Sequence, residues 1–453
     1  MLGVLALPAV AAQPANTLNV GRFGTVTLYM PEGEPRSIAL FVSGDGGWNL
    51  GVVDMAQSIA AQGAIVVGID IRHYFAELAK PKSGCASLAV DFENLNHSVQ
   101  KQLHLREYLP PVLVGYSSGA TLVYATLAQA PPGTFAGAMS LGFCADQDFR
   151  GAALCRGAGL KYSPNKRGDY VFEPAPHLRD PWITLQGQQD AVCSAPAVDS
   201  FAAQVAHAQV VRLPAVGHGF SVQKNWVPQF NAAYAELSAR KLPEVPAPEV
   251  ADLPLVTVAA SAATEQEKSS ARFVLLLTGD GGWAGLDQDV ADGFAAKGVP
   301  VVGFNTLRYF WNARTPEEAA TDVARTLQHY LVSWRRTQVD LVGYSFGAEV
   351  LPFIVARLPE ELRASVGSLT LISPSPTATF EIHVADWLPG EDDSGMPLLP
   401  EIQRLGSTRL LCLYGKGDAD ALCPSLPANL ASSAAIGTGH HLGGDADAIV
   451  QRI

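Results

Sequence analysis

The chain runs through the same series of motifs twice. IALFVSGDGGW at 38–48 recurs as VLLLTGDGGW at 274–283, and PVLVGYSSGATL at 111–122 recurs as VDLVGYSFGAEV at 339–350. Between these pairs, GAIVVGIDIRHYF at 63–75 matches GVPVVGFNTLRYF at 298–310. Later, WITLQGQQDAVC at 182–193 matches LLCLYGKGDADALC at 410–423, and VGHGF at 216–220 matches TGHHL at 438–442. The period is the size of a domain, far longer than the 20–50 residues of a solenoid repeat, so the chain reads as two copies of one fold. Loop drift is visible in the spacing: 72 residues separate Asp45 from Ser117 and 65 separate Asp280 from Ser345. The organisation expected is a signal-like segment at 1–16, a first domain at 17–240, a linker at 241–270 and a second domain at 271–453. The linker rests on KLPEVPAPEV followed by Ala, Ser and charge, a composition without sustained periodicity. Within it, Leu255 to Val258 is a candidate first strand of the second domain.

In each half, short apolar runs (Ala39 to Val42, Ile65 to Ile69, Val112 to Val114, Ile183 to Leu185) alternate with helix-compatible stretches. Such runs suit strands buried on both faces, and the alternation predicts an α/β fold: tandem α/β-hydrolase domains, each a mostly parallel sheet flanked by helices. Every motif begins where an apolar run stops, at the carboxyl edge where open α/β sheets bind ligands.

G-x-S-x-G occurs as Gly115-Tyr-Ser117-Ser-Gly119 and again as Gly343-Tyr-Ser345-Phe-Gly347. Each copy follows a strand and opens a helix, the context in which a serine oxygen is lifted clear of the sheet as a nucleophile. Singly the motif is weak; two in register are much stronger. A serine hydroxyl needs a base, and the base needs a carboxylate, in the order Ser, acid, His. The first half offers Ser117, Asp190 and His218. The second offers Ser345 and His440, with His441 as a structural or pocket-lining neighbour, and two candidate acids. Counting from the glycine selects Asp418; counting back from the cysteine selects Asp420, which is preferred here.

Oxyanion donors are expected at the N–H after each serine, on Ser118 and Phe346, and in the glycine loops Gly44-Asp45-Gly46 and Gly279-Asp280-Gly281. An aspartate there would oppose a developing negative charge, so Asp45 and Asp280 are read as turn residues, with contact to a cationic substrate group as the alternative. Trp48 and Trp283 read as packing residues. The aromatics in Arg72 to Phe75 and Arg308 to Trp311 either line a cleft or cover the core, and Arg308 is the best candidate for a phosphate contact.

Charged residues make up only 16% of the chain and the formal net charge is −12, without a block of Lys or Arg. A nucleic-acid partner therefore lacks its electrostatic footprint. No H-E-x-x-H or C-x-x-C pattern is present, so neither a metal nor another cofactor is expected. MLGVLALPAVAAQPANT reads as the apolar and small-residue parts of a secretory signal, ending near Ala11 or Ala12 without a basic start, so that the signal extends further upstream. No other stretch is long and apolar enough for a transmembrane segment in the mature chain. Four cysteines fall in the first half and two in the second, even numbers that fit pairing within domains. Nearness in sequence favours Cys144 with Cys155 and Cys412 with Cys423, leaving Cys85 with Cys193.

With these motifs in place, the chain resembles the bacterial virulence protein VirJ family, in its two-unit AcvB branch. In the second half the likeness rests on TGDGGW, LRYFWNARTPEEAATDVARTLQHYLVSW, VDLVGYSFGAEVLPF, TATFEIHVADWLP, YGKGDADALCP and GHHLGGD; SGDGGW, DIRHY and GYSSGA extend it through the first half. The resemblance implies a periplasmic serine hydrolase that removes the aminoacyl group from aminoacyl-phosphatidylglycerol, a lipid substrate met at the membrane surface. It points to Ser345, Asp420 and His440 first, because single-unit members look like the second half. The alternatives are a general carboxylesterase or lipase, and a non-catalytic periplasmic factor that assists secretion on a hydrolase scaffold.

Overall fold

The apolar runs of each half form the middle strands of one sheet. The computed structural model describes residues 16–453 apart from 50, 81–84, 150, 158, 240–249, 261–270, 383–394 and 407. The signal-like segment, much of the proposed linker and part of TATFEIHVADWLP lie outside the described residues. The chain divides into two units: Met1–Val99, Leu109–Gln129 and Phe135–Ala239 form one, and Gln100–Tyr108, Ala130–Thr134 and Arg240–Ile453 form the other.

The first unit is built on β1 (Asn16–Val20), β2 (Gly24–Tyr29), β3 (Ser37–Val42), β4 (Ala64–Ile69), β5 (Pro111–Tyr116), β6 (Gly137–Leu141), β7 (Trp182–Gly187) and β8 (Ala208–Leu213). Their order is β1-β2-β4-β3-β5-β6-β7-β8. Strand β2 is antiparallel to both neighbours, and β4 through β8 run parallel. The second unit repeats the plan with β9 (Leu255–Val258), β10 (Arg272–Leu277), β11 (Val301–Phe304), β12 (Gln338–Tyr344), β13 (Val366–Ile372), β14 (Leu410–Lys416) and β15 (Ser432–Thr438). Their order is β9-β11-β10-β12-β13-β14-β15, with only β9 antiparallel.

All six residues of β3, β4 and β7 are buried, as a sheet covered on both faces requires. Alternation then sorts side chains between faces. In β10, Phe273, Leu275 and Leu277 enter one core while Val274 and Leu276 enter the other. Winding reverses between β3 and β5, and between β10 and β12. This opens a crevice at the carboxyl ends of those strands, where the SGDGGW and GYSSG turns meet.

Trp48 and Trp283 are packing residues. A Cβ on Gly68 would lie 2.2 Å from the Trp48 ring, and one on Gly303 1.9 Å from that of Trp283. Glycine in the neighbouring strand is what lets each indole lie flat on the sheet. Tyr74, Phe75, Tyr309, Phe310 and Trp311 are buried as well, so these aromatics cover core.

The disulfides correct two of the expected pairings. Cys85 bonds to Cys155 and Cys144 to Cys193, while Cys412 bonds to Cys423 as anticipated. The reason is topological. β6 and β7 are parallel neighbours, so the turn after β6 that carries Cys144 lies beside the turn after β7 that carries Cys193, although 49 residues separate them. Loop-closure entropy makes such a bridge worth about 4 kcal/mol, against about 3 kcal/mol for the short Cys412–Cys423 loop.

Candidate active sites

Both serines sit at strand-to-helix turns in the left-handed region, Ser117 at φ 55° and Ser345 at φ 49°. A side chain held there costs on the order of 1–3 kcal/mol. It is secured by Ser117 N–H donating to Leu141 O at 2.8 Å and Ser345 N–H to Ile372 O at 2.8 Å. The flanking glycines are steric necessities. A Cβ on Gly115 would stand 2.1 Å from Gly119 O, and one on Gly119 2.5 Å from Val42 O; Gly343 and Gly347 have contacts of 2.5 and 2.3 Å with Gly347 O and Leu277 O. Both motifs therefore bring the helix start onto the neighbouring strand in a way that only glycine permits.

In the first unit the Ser117 hydroxyl lies 2.9 Å from His218 Nε2, and His218 Nδ1 lies 2.8 Å from Asp190 Oδ2. Asp190 is buried and well held. Its Oδ1 accepts from the Val192 and Cys193 N–H groups at 2.8 Å each, and Oδ2 accepts from Gln186 Nε2 at 3.1 Å. The Cys144–Cys193 bridge anchors this turn. Asp190, Cys193 and His218 also converge as a possible metal-ligand set, but the Cys193 sulfur is committed to its disulfide.

In the second unit Ser345 Oγ lies 2.8 Å from His440 Nε2, and His440 Nδ1 lies 3.1 Å from Asp418 Oδ2. This corrects the choice of Asp420, which is exposed and directs only its N–H toward Asp418 Oδ1, at 3.4 Å. Asp190 and Asp418 each stand three residues after the glycine at the end of the matching apolar run, Gly187 and Gly415. The extra residues fall after the acid. Cysteine misled the count because Cys193 bonds outward to Cys144 whereas Cys423 bonds back into its own strand at Cys412.

The glycine loops abut the nucleophiles. A Cβ on Gly44 would lie 3.1 Å from the Ser117 Cβ, and one on Gly279 would lie 3.5 Å from that of Ser345. The N–H groups of Ser118 and Phe346 belong to the first turn of their helices, which leaves four donors without intrahelical acceptors. Asp45 Oδ1 accepts from the Ser118 hydroxyl at 2.7 Å; Phe346 has no such donor, so the two loops are held differently. Asp280 is half-buried, and its charge acts on Tyr344, His441 and Asp287. The Arg308 backbone N–H donates to Asn305 Oδ1 at 3.1 Å. In the first unit Asp70 occupies the place of Asn305 and binds Arg72 at 2.6 Å.

Three further residues shape the sites. Tyr116 donates its hydroxyl to His218 O at 3.0 Å, whereas the Tyr344 hydroxyl meets His441 Nδ1. The same tyrosine before both serines was the available sequence signal. Burial, reinforced by Asp287, Asp280 and Asp418, raises the Tyr344 phenol well above its ordinary range and keeps it neutral. Burial and the neighbouring His440 lower His441, leaving a neutral imidazole to accept from the phenol. Asp287 had no signal beyond standing where the first copy has Val52. It is buried, its Oδ1 has no hydrogen-bond partner, and it accepts from the Gly279 N–H. Burial pushes its carboxyl well above the usual range.

The sheet order and the two Ser–His–Asp arrangements define a tandem α/β-hydrolase fold. Residues 36–144 and 271–453, together more than half of the chain, match the model of the bacterial virulence protein (VirJ) family, and the chain belongs to that family. No match is found among curated proteins. Solved structures of similar fold include Est1E from Butyrivibrio proteoclasticus, at 12% identity and TM-score 0.34 over 50% of this chain and 100% of that one. XC6422 from Xanthomonas campestris, an α/β serine hydrolase without a lid, is 19% identical with TM-score 0.33 over 52% of this chain and 99% of its own. The esterase domain of a Rhodothermus marinus protein is 16% identical, with TM-score 0.34 over 50% of this chain and 98% of that one.

Proposed function

We propose that this chain is a periplasmic serine esterase that cleaves the aminoacyl ester of aminoacyl-phosphatidylglycerol, with Ser345 as nucleophile, His440 as base and Asp418 as its orienting acid. The observation that carries this reading is the continuous relay from Ser345 Oγ through His440 to Asp418, at 2.8 and 3.1 Å, on a strained turn beside a glycine loop. His440 Nε2 takes the serine proton as Oγ attacks the ester carbonyl, and the oxyanion faces the Phe346 N–H and the Gly279–Gly281 loop. Collapse returns the proton to the departing glycerol oxygen. Water, deprotonated by the same imidazole, then releases the amino acid. No cofactor is required.

The aminoacyl group is supported by charge. Asp280 and Asp418 both act on Tyr344, a negative charge suited to an ammonium next to the scissile carbonyl. Three disulfides suit an oxidising compartment. Among the described residues no helix is long and apolar enough to cross a membrane. The test is mass spectrometry of aminoacyl-phosphatidylglycerol incubated with the purified protein and with Ser345→Ala. Release of free amino acid by the former alone supports the reading; intact lipid with both rejects it and favours a non-catalytic role.

A further inference from the structure

In the first unit a cleft of about 230 Å³ is lined by Tyr116 and Gly219, the residues next to Ser117 and His218 in the chain. Gly44 and Tyr116 line it next to Ser117, buried Val52, Met55, Phe220 and Trp226 give it an apolar side, and Asp54, which accepts from Gln223 Nε2 at 3.0 Å, lies on its polar side. With the Gly44 α-carbon packed against the Ser117 side chain, a group attached to a carbonyl at Ser117 enters past that glycine. The cleft volume is about 230 Å³. That is below the 300–1,000 Å³ typical of drug-sized ligands.

Aligning Trp48 with Trp283 and His218 with His440 shows what has changed in the second unit. Asp287 stands for Val52, His441 for Gly219 and Leu442 for Phe220. An apolar side chain and a glycine are replaced by a buried carboxyl and an imidazole bonded to Tyr344. The first relay is also the more firmly held, because three donors besides His218 fix Asp190 while Asp418 receives one long bond from the Asp420 N–H.

We infer that the first unit is a second active site with its own specificity: an esterase for short, uncharged acyl groups, whose acyl chain occupies the cleft between Gly44, Met55 and Phe220. This rests on the reading that these Ser–His–Asp sets cleave esters. Ser117 Oγ bonds to the acyl carbon as its proton passes to His218; the alcohol leaves with that proton, and water completes hydrolysis to the free acid and regenerated serine.

The experiment uses the full chain with Ser345→Ala, leaving Ser117 intact, and p-nitrophenyl acetate, butyrate, hexanoate and laurate as probes. Acetate to hexanoate should turn over, with kcat/KM for laurate at least tenfold below that for hexanoate, and adding Ser117→Ala should remove at least 99% of the rate. Adding Met55→Trp should lower kcat/KM by a factor that grows with chain length, reaching at least tenfold on hexanoate. Gly219→His, at an exposed position, should act in the same direction and guards against misfolding of the core variant. Equal rates on all chain lengths, or indifference to both cleft substitutions, overturns the acyl assignment. A Ser345→Ala protein inert to every probe, while the wild type cleaves them, overturns the second site and leaves the Ser345 reading standing. A wild type that cleaves none of these probes overturns the second site, and one that also leaves aminoacyl-phosphatidylglycerol intact overturns both.

Discussion

Asp418 Oδ2 lies 3.1 Å from His440 Nδ1. The two residues are 22 positions apart and meet because β14 and β15 are parallel neighbours whose carboxyl ends emerge side by side. Asp420 is on the same turn and faces solvent. Replacing Asp418 by Asn should therefore lower kcat by roughly 10²–10⁴-fold through the wrong imidazole tautomer. Asp420→Asn keeps the backbone N–H and should stay within about threefold of wild type, since exposed substitutions away from such features are close to neutral. Steady-state ester hydrolysis by both variants checks this, and a more damaging Asp420→Asn would return the acid role to Asp420.

The two serines are expected to differ on the lipid. Ser345→Ala should cost about 10³-fold or more in release of amino acid from aminoacyl-phosphatidylglycerol, because the remaining groups give only residual catalysis. Ser117→Ala should leave a substantial part of that rate. Rates for both single variants and the double variant decide it; a dead Ser117→Ala beside an unimpaired Ser345→Ala reverses the assignment.

Denatured, unreduced protein should titrate with no free thiol, since all six cysteines are paired. Peptide mapping should recover Cys85 with Cys155 and Cys144 with Cys193. Removing the latter pair as Cys144→Ala with Cys193→Ala should lower stability by about 2–5 kcal/mol, measured by chemical denaturation. It should also slow turnover at Ser117, because the bridge anchors the turn whose Val192 and Cys193 N–H groups hold Asp190.

Asp287 gives a pH signature. Its folded carboxyl titrates well above the ordinary 3.8, so between those values the folded chain keeps a proton that the unfolded chain has released. Its contribution to stability is full below about 3.8 and is lost as pH rises toward the folded value. Asp287→Asn, which cannot ionise, should match the wild type near pH 4 and exceed it in Tm by a margin that widens toward pH 8. A margin independent of pH would mean that Asp287 is not a titrating burden on the fold.

Much of this protein was legible in its residues. The repeat, the α/β alternation, both nucleophile turns and both histidines depend on local facts: strand-length apolar runs, and glycines where a Cβ would strike backbone 2.1–2.5 Å away. Sterics and burial act over a few residues and leave their mark in sequence. The long-range pairings left no such mark. Cys144 finds Cys193 and not Cys155, and His440 finds Asp418 and not Asp420, because strand order decides which turns become neighbours and the identity of a residue does not state its partner. The exchange of Val52 for Asp287 was visible as letters, but its burial beneath the Gly279 loop was decided only by packing. The cleft beside Ser117 likewise exists because Gly44, Met55 and Phe220, far apart in the chain, are gathered at one edge of the sheet.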